Sequence, residues 1–308
     1  MKKIFLLIII LSAFSCETVI YPELNDAAEI IVVDAWLVHN KPTQEIRLTR
    51  SQPYFDNTEP QMITGAEVTV LDIETGLLYE FQEGEKSYRW TADSTFGVIG
   101  HNYRLTVDVE GETFEATARL GRVPQVDSVV FRHNPKDYDI LEPYFTAEFF
   151  ATDPAGLGDA YWIKAWKNGV FLNKPSEINI AFDGGFGEGQ EVDGVVLHKT
   201  VRKDYLNPME ERTDRKNYYY PPYDLGDSIY VEIHSIDPAA YDYLSVVKTQ
   251  TDREGGFAEL FAIPLANVTT NLRSTDPLSA TPIGGFFNVS AVASNGSRLT
   301  EEIVSKFQ

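Results

Sequence analysis

Seven short runs, apolar or alternating apolar with polar, follow one another between residues 29 and 122, and a period of two does not fit one face of a helix. They span 30–38, 45–49, 66–73, 77–81, 88–91, 103–109 and 113–120. Turn chemistry separates them: Glu74-Thr75-Gly76 lies between two runs, and Glu110-Gly111 joins two that alternate on the pleat. That last pair predicts a hairpin with Tyr103, Leu105, Val107 and Val109 on one face, opposite Phe114, Ala116, Ala118 and Leu120. Strands of this number and spacing predict an immunoglobulin-like β-sandwich over 29–122.

Gly121-Arg122-Val123-Pro124 closes the block, and Pro124 has no N–H to give to a ladder, so a domain boundary is expected there. Residues 123–308 predict a second β-sandwich in tandem, with strands at 126–132, 144–151, 161–167, 170–172, 195–201, 228–235, 258–262, 285–293 and 298–304. Asn168-Gly169 is the clearest hairpin turn. One inserted helix is expected near 237–250: Asp237 suits the cap, Pro238 the first helical position, and Ala240, Leu244 and Val247 form an apolar stripe. The stretch 182–226 is a long irregular loop, read as an exposed, partly ordered insertion. Deletion of 188–223 is therefore expected to leave the fold intact.

The 16 Tyr, 18 Phe and 4 Trp, with many Val, Ile and Thr, suit a pleated, half-buried surface, so the chain reads as mostly β. A single cysteine permits no internal disulfide, and stability must come from packed apolar cores. With 46 acidic and 26 basic residues the net charge is −20. Nucleic acid is excluded as a partner: the basic clusters, Arg202-Lys203 and residues 212–216, are short and interrupted by acids.

At the N-terminus Lys2 and Lys3 precede an apolar run over 4–11 and small residues that end at Cys16, the pattern of a bacterial lipoprotein export signal over 1–15. The run is too short to span a bilayer, which takes about 20 apolar residues. Cys16 is expected to become the lipidated first residue, with 16–28 as a polar tether between lipid and fold. Loss of Lys2 and Lys3 removes two positive charges and leaves −22.

Each chemical constellation is weak. Gly226-Asp227-Ser228 copies a hydrolase nucleophile triplet, but no histidine follows His234 to serve it. Ser245-Val246-Val247-Lys248 spells the Ser-x-x-Lys of penicillin-binding proteins without its partner motifs. His39, His101, His133, His198 and His234 show no metal-ligand spacing. Asp183, Glu188, Glu191 and Asp193 offer oxygen ligands in a glycine-rich loop, as a weak candidate for Ca²⁺. Tyr218, Tyr219, Tyr220 and Tyr223, with Trp162 and Trp166, are the candidate partner or ligand contacts, because aromatic side chains give large area at low entropic cost.

Several segments together resemble one family. They are Cys16-Glu17, then Ile31-Val-Val-Asp-Ala-Trp-Leu37, Gly65-Ala-Glu-Val-Thr-Val70, Asp227-Ser-Ile-Tyr-Val-Glu-Ile233 leading to Tyr241-Asp-Tyr-Leu244, Ile263-Pro-Leu-Ala-Asn-Val-Thr-Thr-Asn271 and Ile283-Gly-Gly-Phe-Phe287. In this order they are similar to the Bacteroidota outer-membrane lipoproteins called domain of unknown function 4249. The resemblance implies a two-part β-rich lipoprotein of the outer membrane, often associated with TonB-dependent transporters, with no established enzymatic activity and no catalytic residues to carry over; no cofactor is expected. Only Glu17 stands beside Cys16, before Thr18-Val19-Ile20, so the cell-surface and periplasmic faces both stay open. The expectation is a non-enzymatic accessory subunit docked on a transporter or other barrel protein. The alternatives are a glycan- or peptide-binding lipoprotein and a hydrolase with a fold-assembled site.

Overall fold

The computed structural model describes residues 28–53, 56, 58–92, 95–185, 187, 192–253 and 268–307. Cys16, the export signal and the run at 258–262 lie outside the described residues. The chain is mostly β. The seven N-terminal runs are strands β1 (Ile31–Val38), β2 (Thr43–Arg50), β3 (Glu67–Asp72), β4 (Leu78–Glu83), β5 (Tyr88–Thr91), β6 (Asn102–Val109) and β7 (Glu112–Arg119). The predicted hairpin is present: Tyr103 pairs with Ala118, Leu105 with Ala116 and Val107 with Phe114. Glu110 and Gly111 turn it at φ 54° and 85°, left-handed conformations that match the twist of the two strands.

Beyond Pro124 follow β8 (Ser128–Asn134), β9 (Tyr144–Phe150), β10 (Ala160–Lys167), β11 (Val170–Phe171), β12 (Asn179–Phe182), β13 (Ser228–Ile236), β14 (Arg273–Ser274), β15 (Ile283–Ser290) and β16 (Val292–Arg298). The first sheet draws two of its strands from this half: its order is β14-β7-β6-β3-β4-β5-β2-β1-β15. β15 runs parallel to β1, Ile31 beside Ile283 through Val38 beside Ser290. The sheet curls until its ends meet. β15 lies against β7, and just before β14 the Asn271 side chain donates to the Phe287 carbonyl at 2.8 Å and accepts the Phe287 N–H at 3.0 Å. One face encloses a core that includes Val33, Leu48, Val70, Tyr103 and Phe287.

The second sheet has the order β11-β10-β13-β16, with β12 also beside β10. The β8–β9 pair covers one of its faces, and Phe131 and Phe149 pack there with Tyr161, Ile163 and Ile233. Residues 283–298 belong to both sheets, since β15 passes through Ala291 directly into β16. Ser235 fixes this crossing: its N–H donates to the Ala291 carbonyl at 2.9 Å, its hydroxyl accepts from the Ala291 N–H at 2.8 Å and donates to the Gly121 carbonyl at 3.0 Å.

Several local expectations are corrected. The helix spans Pro238–Thr251, and Ala240 and Leu244 are buried as predicted. Asp237 is its N-cap residue, yet the Asp237 side chain makes no capping bond and instead accepts the Arg119 N–H at 2.9 Å, joining the helix start to β7. The run at 195–201 is no strand: Val196 makes one bridge to Thr152, and the His198 ring accepts the Thr200 N–H and starts a short helix, Lys199–Lys203. The run at 298–304 also turns helical, because Thr300 is followed by Glu301 and Glu302, acids favoured in a first turn. Finally, the described part of 182–226 is not simply an exposed insertion, since Leu197, Val201, Leu206 and Tyr223 all enter the core of the second unit.

Candidate functional site

Alternation along β10 turns Tyr161, Ile163 and Ala165 into the core and leaves Trp162, Lys164 and Trp166 on the opposite face. Register places them against β13: Trp162 faces His234, Lys164 faces Glu232 and Trp166 faces Tyr230. At one end the first sheet covers this strip. Trp162 meets Trp36 of β1 edge-on, with centroids 5.1 Å apart, and Trp36 stacks on Phe286 at 5.7 Å. The other end is open. Trp166 stacks on Phe171 at 5.0 Å and tilts against Tyr230 at 5.8 Å, and Tyr230 is 42% exposed.

The middle of the strip holds an ionic arrangement that register alone does not give. Cross-strand placement favours a Lys164–Glu232 ion pair, but Glu232 Oε2 is 2.8 Å from His234 Nε2. Lys164 Nζ lies instead 3.9 Å from the centroid of the Trp162 ring. Among the described residues no carboxylate is within ion-pair distance of it. Burial, aided by repulsion from Lys41, outweighs attraction to Glu232 and Asp34 and pushes Lys164 down to about 8. Burial likewise pushes His234, which is 3% exposed, down to about 4 despite its Glu232 partner. Neutral at pH 7, the His234 ring donates Nε2–H to the carboxylate. For Glu232 the His234 bond and nearby positive charges outweigh burial and lower the pKa.

The tyrosine run divides. Tyr223 is 2% exposed, its hydroxyl donates to the Leu206 carbonyl, and its ring meets Phe131 in the core on the opposite side of β10. Tyr223 is thus corrected from contact candidate to anchor. Its neighbours form a surface loop: Arg215 lies 4.1 Å from the Tyr218 ring centroid, Arg212 lies 5.0 Å from that of Tyr220, and Tyr219 donates its N–H to the Asp139 carbonyl at 2.9 Å. Trp162 and Trp166 therefore share a face with each other, and Tyr218, Tyr219 and Tyr220 belong to a separate feature.

The other predicted groups have local structural partners. Ser228 Oγ is 3.3 Å from Asn168 Oδ1, and His234 lies six residues further along the same strand, about 20 Å away at the usual rise. Lys248 donates to the Ile178 carbonyl at 2.8 Å and covers the Tyr205 ring. Asp183 accepts the Gly158 and Asp159 N–H groups and Asp193 that of Gly156, so both carboxylates hold the 156–159 loop; Glu188 and Glu191 lie outside the described residues. His39 contacts the Phe96 carbonyl and His133 stacks on Phe307.

The fold also assembles a cluster that sequence spacing does not reveal. Ligand atoms of Asp72, Glu74 and His101 all lie within 4.8 Å of one another. Here His101 Nδ1 is 2.9 Å from Asp72 Oδ2, while Asp72 Oδ1 accepts the Glu74 and Thr75 N–H groups and Glu74 accepts two bonds from Asn102. These bonds organise the β3–β4 turn against the start of β6. Two larger hollows complete the surface: a groove of about 690 Å³ on the outer side of the first sheet, lined by Asp34, Arg47, Glu59 and Met62, and a cleft of about 500 Å³ at the sheet junction, lined by Arg119, Asp159 and Asp237.

Comparison with known proteins adds one match. The family model described as "Domain of unknown function (DUF4249)" matches residues 17–295. No curated protein matches the chain.

Proposed function

The chain belongs to the DUF4249 family, whose description carries no activity, and we propose from its own residues that it is a non-enzymatic, lipid-anchored docking subunit of the outer membrane. In this reading Cys16 holds the lipid, and a transporter or other barrel protein is the partner. The observation that supports it best is the loop at 212–220. Two arginines lie over two tyrosines, Arg215 on Tyr218 and Arg212 on Tyr220, on a segment that Tyr223 anchors in the core. Tyrosine and arginine are the residue types that dominate interface energetics. A membrane anchor raises the local concentration of both proteins, so modest affinity suffices.

The test is affinity capture of the tagged full chain from gently solubilised outer membranes, compared with a Tyr218→Ala/Tyr220→Ala variant. A stoichiometric barrel protein is expected with the parent chain, reduced about tenfold or more in the variant. A monomer without partner, or equal capture by both, refutes the reading.

A further inference from the structure

The geometry points to a separate recognition site on the outward strip of β10 and β13, which takes a sugar unit carrying one carboxylate, a uronic acid of a glycan. The site goes beyond docking through the tyrosine loop and shares no residue with it.

Lys164 supplies the first argument. It is a half-buried cation over the Trp162 ring, and its register partner Glu232 is held by His234. A half-buried charge without a carboxylate in ion-pair contact is unfavourable, and a ligand carboxylate provides that contact. The charged and titratable groups that face it are Lys41 from the β1–β2 turn, Asp34 from β1, and Glu232 and His234 from β13. Asp34 and Glu232 attract Lys164 from beyond ion-pair distance, and their negative charge disfavours a phosphate dianion more than a single carboxylate.

Beside Lys164 lies an aromatic surface. Trp166 and Tyr230 continue the strip toward solvent as an aromatic pair 5.8 Å apart. The Tyr230 ring lies over Gly296, where a Cβ would approach Tyr230 Cδ2 to 3.2 Å. Trp166 is backed by Phe171, and Tyr230, 42% exposed, is the ring offered to the apolar C–H face of a pyranose. Glu232 Oε1 makes no hydrogen bond among the described residues and can accept from a sugar hydroxyl while Lys164 holds the carboxylate. An extended peptide fits less well. Peptides that add to sheets use an open strand edge, whereas β10 has β13 on one side and β11 and β12 on the other.

The experiment titrates the full chain with trigalacturonate and with its neutral methyl ester, read by tryptophan fluorescence and calorimetry. Saturable binding of trigalacturonate is expected, at least about tenfold tighter than the ester. Lys164→Met and Trp166→Ala should each weaken it about tenfold or more, with thermal melts confirming that both variants are folded. Binding should also weaken as pH rises past about 8, where Lys164 loses its proton. Equal affinity for acid and ester, unchanged binding by folded Lys164→Met, pH-independent binding, or tighter binding of an acetylated tripeptide carboxylate each overturns the assignment. The Tyr218→Ala/Tyr220→Ala variant should bind trigalacturonate normally, so the failure of one reading is distinguishable from failure of the other.

Discussion

The side-chain amide of Asn271 occupies both main-chain groups of Phe287, donating to its carbonyl at 2.8 Å and accepting its N–H at 3.0 Å. An amide group here does the work of another strand. β15 is hydrogen-bonded to β1 on one edge, and Asn271 covers the other at its fully buried centre. Asn271→Ala leaves two buried polar groups without partners and is predicted to destabilise the chain by about 2–4 kcal/mol in urea unfolding. The uncovered edge should also raise concentration-dependent aggregation. A loss below about 0.5 kcal/mol, the range of ordinary surface substitutions, would show that the edge is covered by something else.

Gly285 is the tightest point of the same pairing. Its φ is +90°, and a Cβ would stand 2.0 Å from the Val33 carbonyl oxygen, which is backbone and fixed by β1. Gly285→Ala should therefore cost at least about 3 kcal/mol. Gly158, at φ +98° with nothing within 4 Å, is the matched control, and Gly158→Ala should cost only the left-handed strain of about 1–2 kcal/mol. Equal losses at the two sites would sink the argument from strand proximity.

The strip also predicts a pH signature. Lys164 has a folded pKa of about 8 against 10.5 unfolded, so between these values the unfolded chain holds more protons and stability rises with pH. The penalty is fully present below about 8. Lys164→Met should remove that rise and be more stable than the parent at pH 7. His234 behaves alike at lower pH: with a folded pKa of about 4 against 6.5, stability falls as pH drops between those values, with a slope of up to about 1.4 kcal/mol per pH unit. His234→Gln should flatten that slope. Denaturant midpoints across pH for the three proteins decide both points, and parallel curves would refute them.

Tyrosines close in sequence should differ sharply in effect. Tyr223→Ala empties a core position and is predicted to cost about 3–5 kcal/mol, and Tyr223→Phe about 1 kcal/mol through the lost bond to the Leu206 carbonyl. Tyr218→Ala should stay within about 0.5 kcal/mol of the parent. Deletion of 188–223 should unfold the second unit, because Leu197, Val201, Leu206 and Tyr223 go with it. Thermal melts of the four variants provide the check.

The β6–β7 hairpin was legible because its evidence is local: alternation on both arms and Glu110-Gly111 at the turn. The first sheet's closure was not, since β1 and β15 lie at opposite ends of the chain and parallel pairing leaves no turn to read. The adjacent Phe286 and Phe287 are both buried, one facing each side of β15, which hides the alternation that would mark an ordinary edge. Trp162 and Trp166 stood out by composition. Lys164 did not, because its lack of a carboxylate partner depends on Glu232 turning along its own strand to His234 rather than across to its register partner.

The segment that runs from β15 through Ala291 into β16 bears on the order in which the molecule becomes whole. A chain that emerges N-terminus first presents β1 early, but the neighbour that covers its open edge arrives only with residues 283–290. The same last stretch completes β13's free side. Neither half can finish ahead of the other, and a truncation that removes only the final few dozen residues takes a strand from each sheet at once.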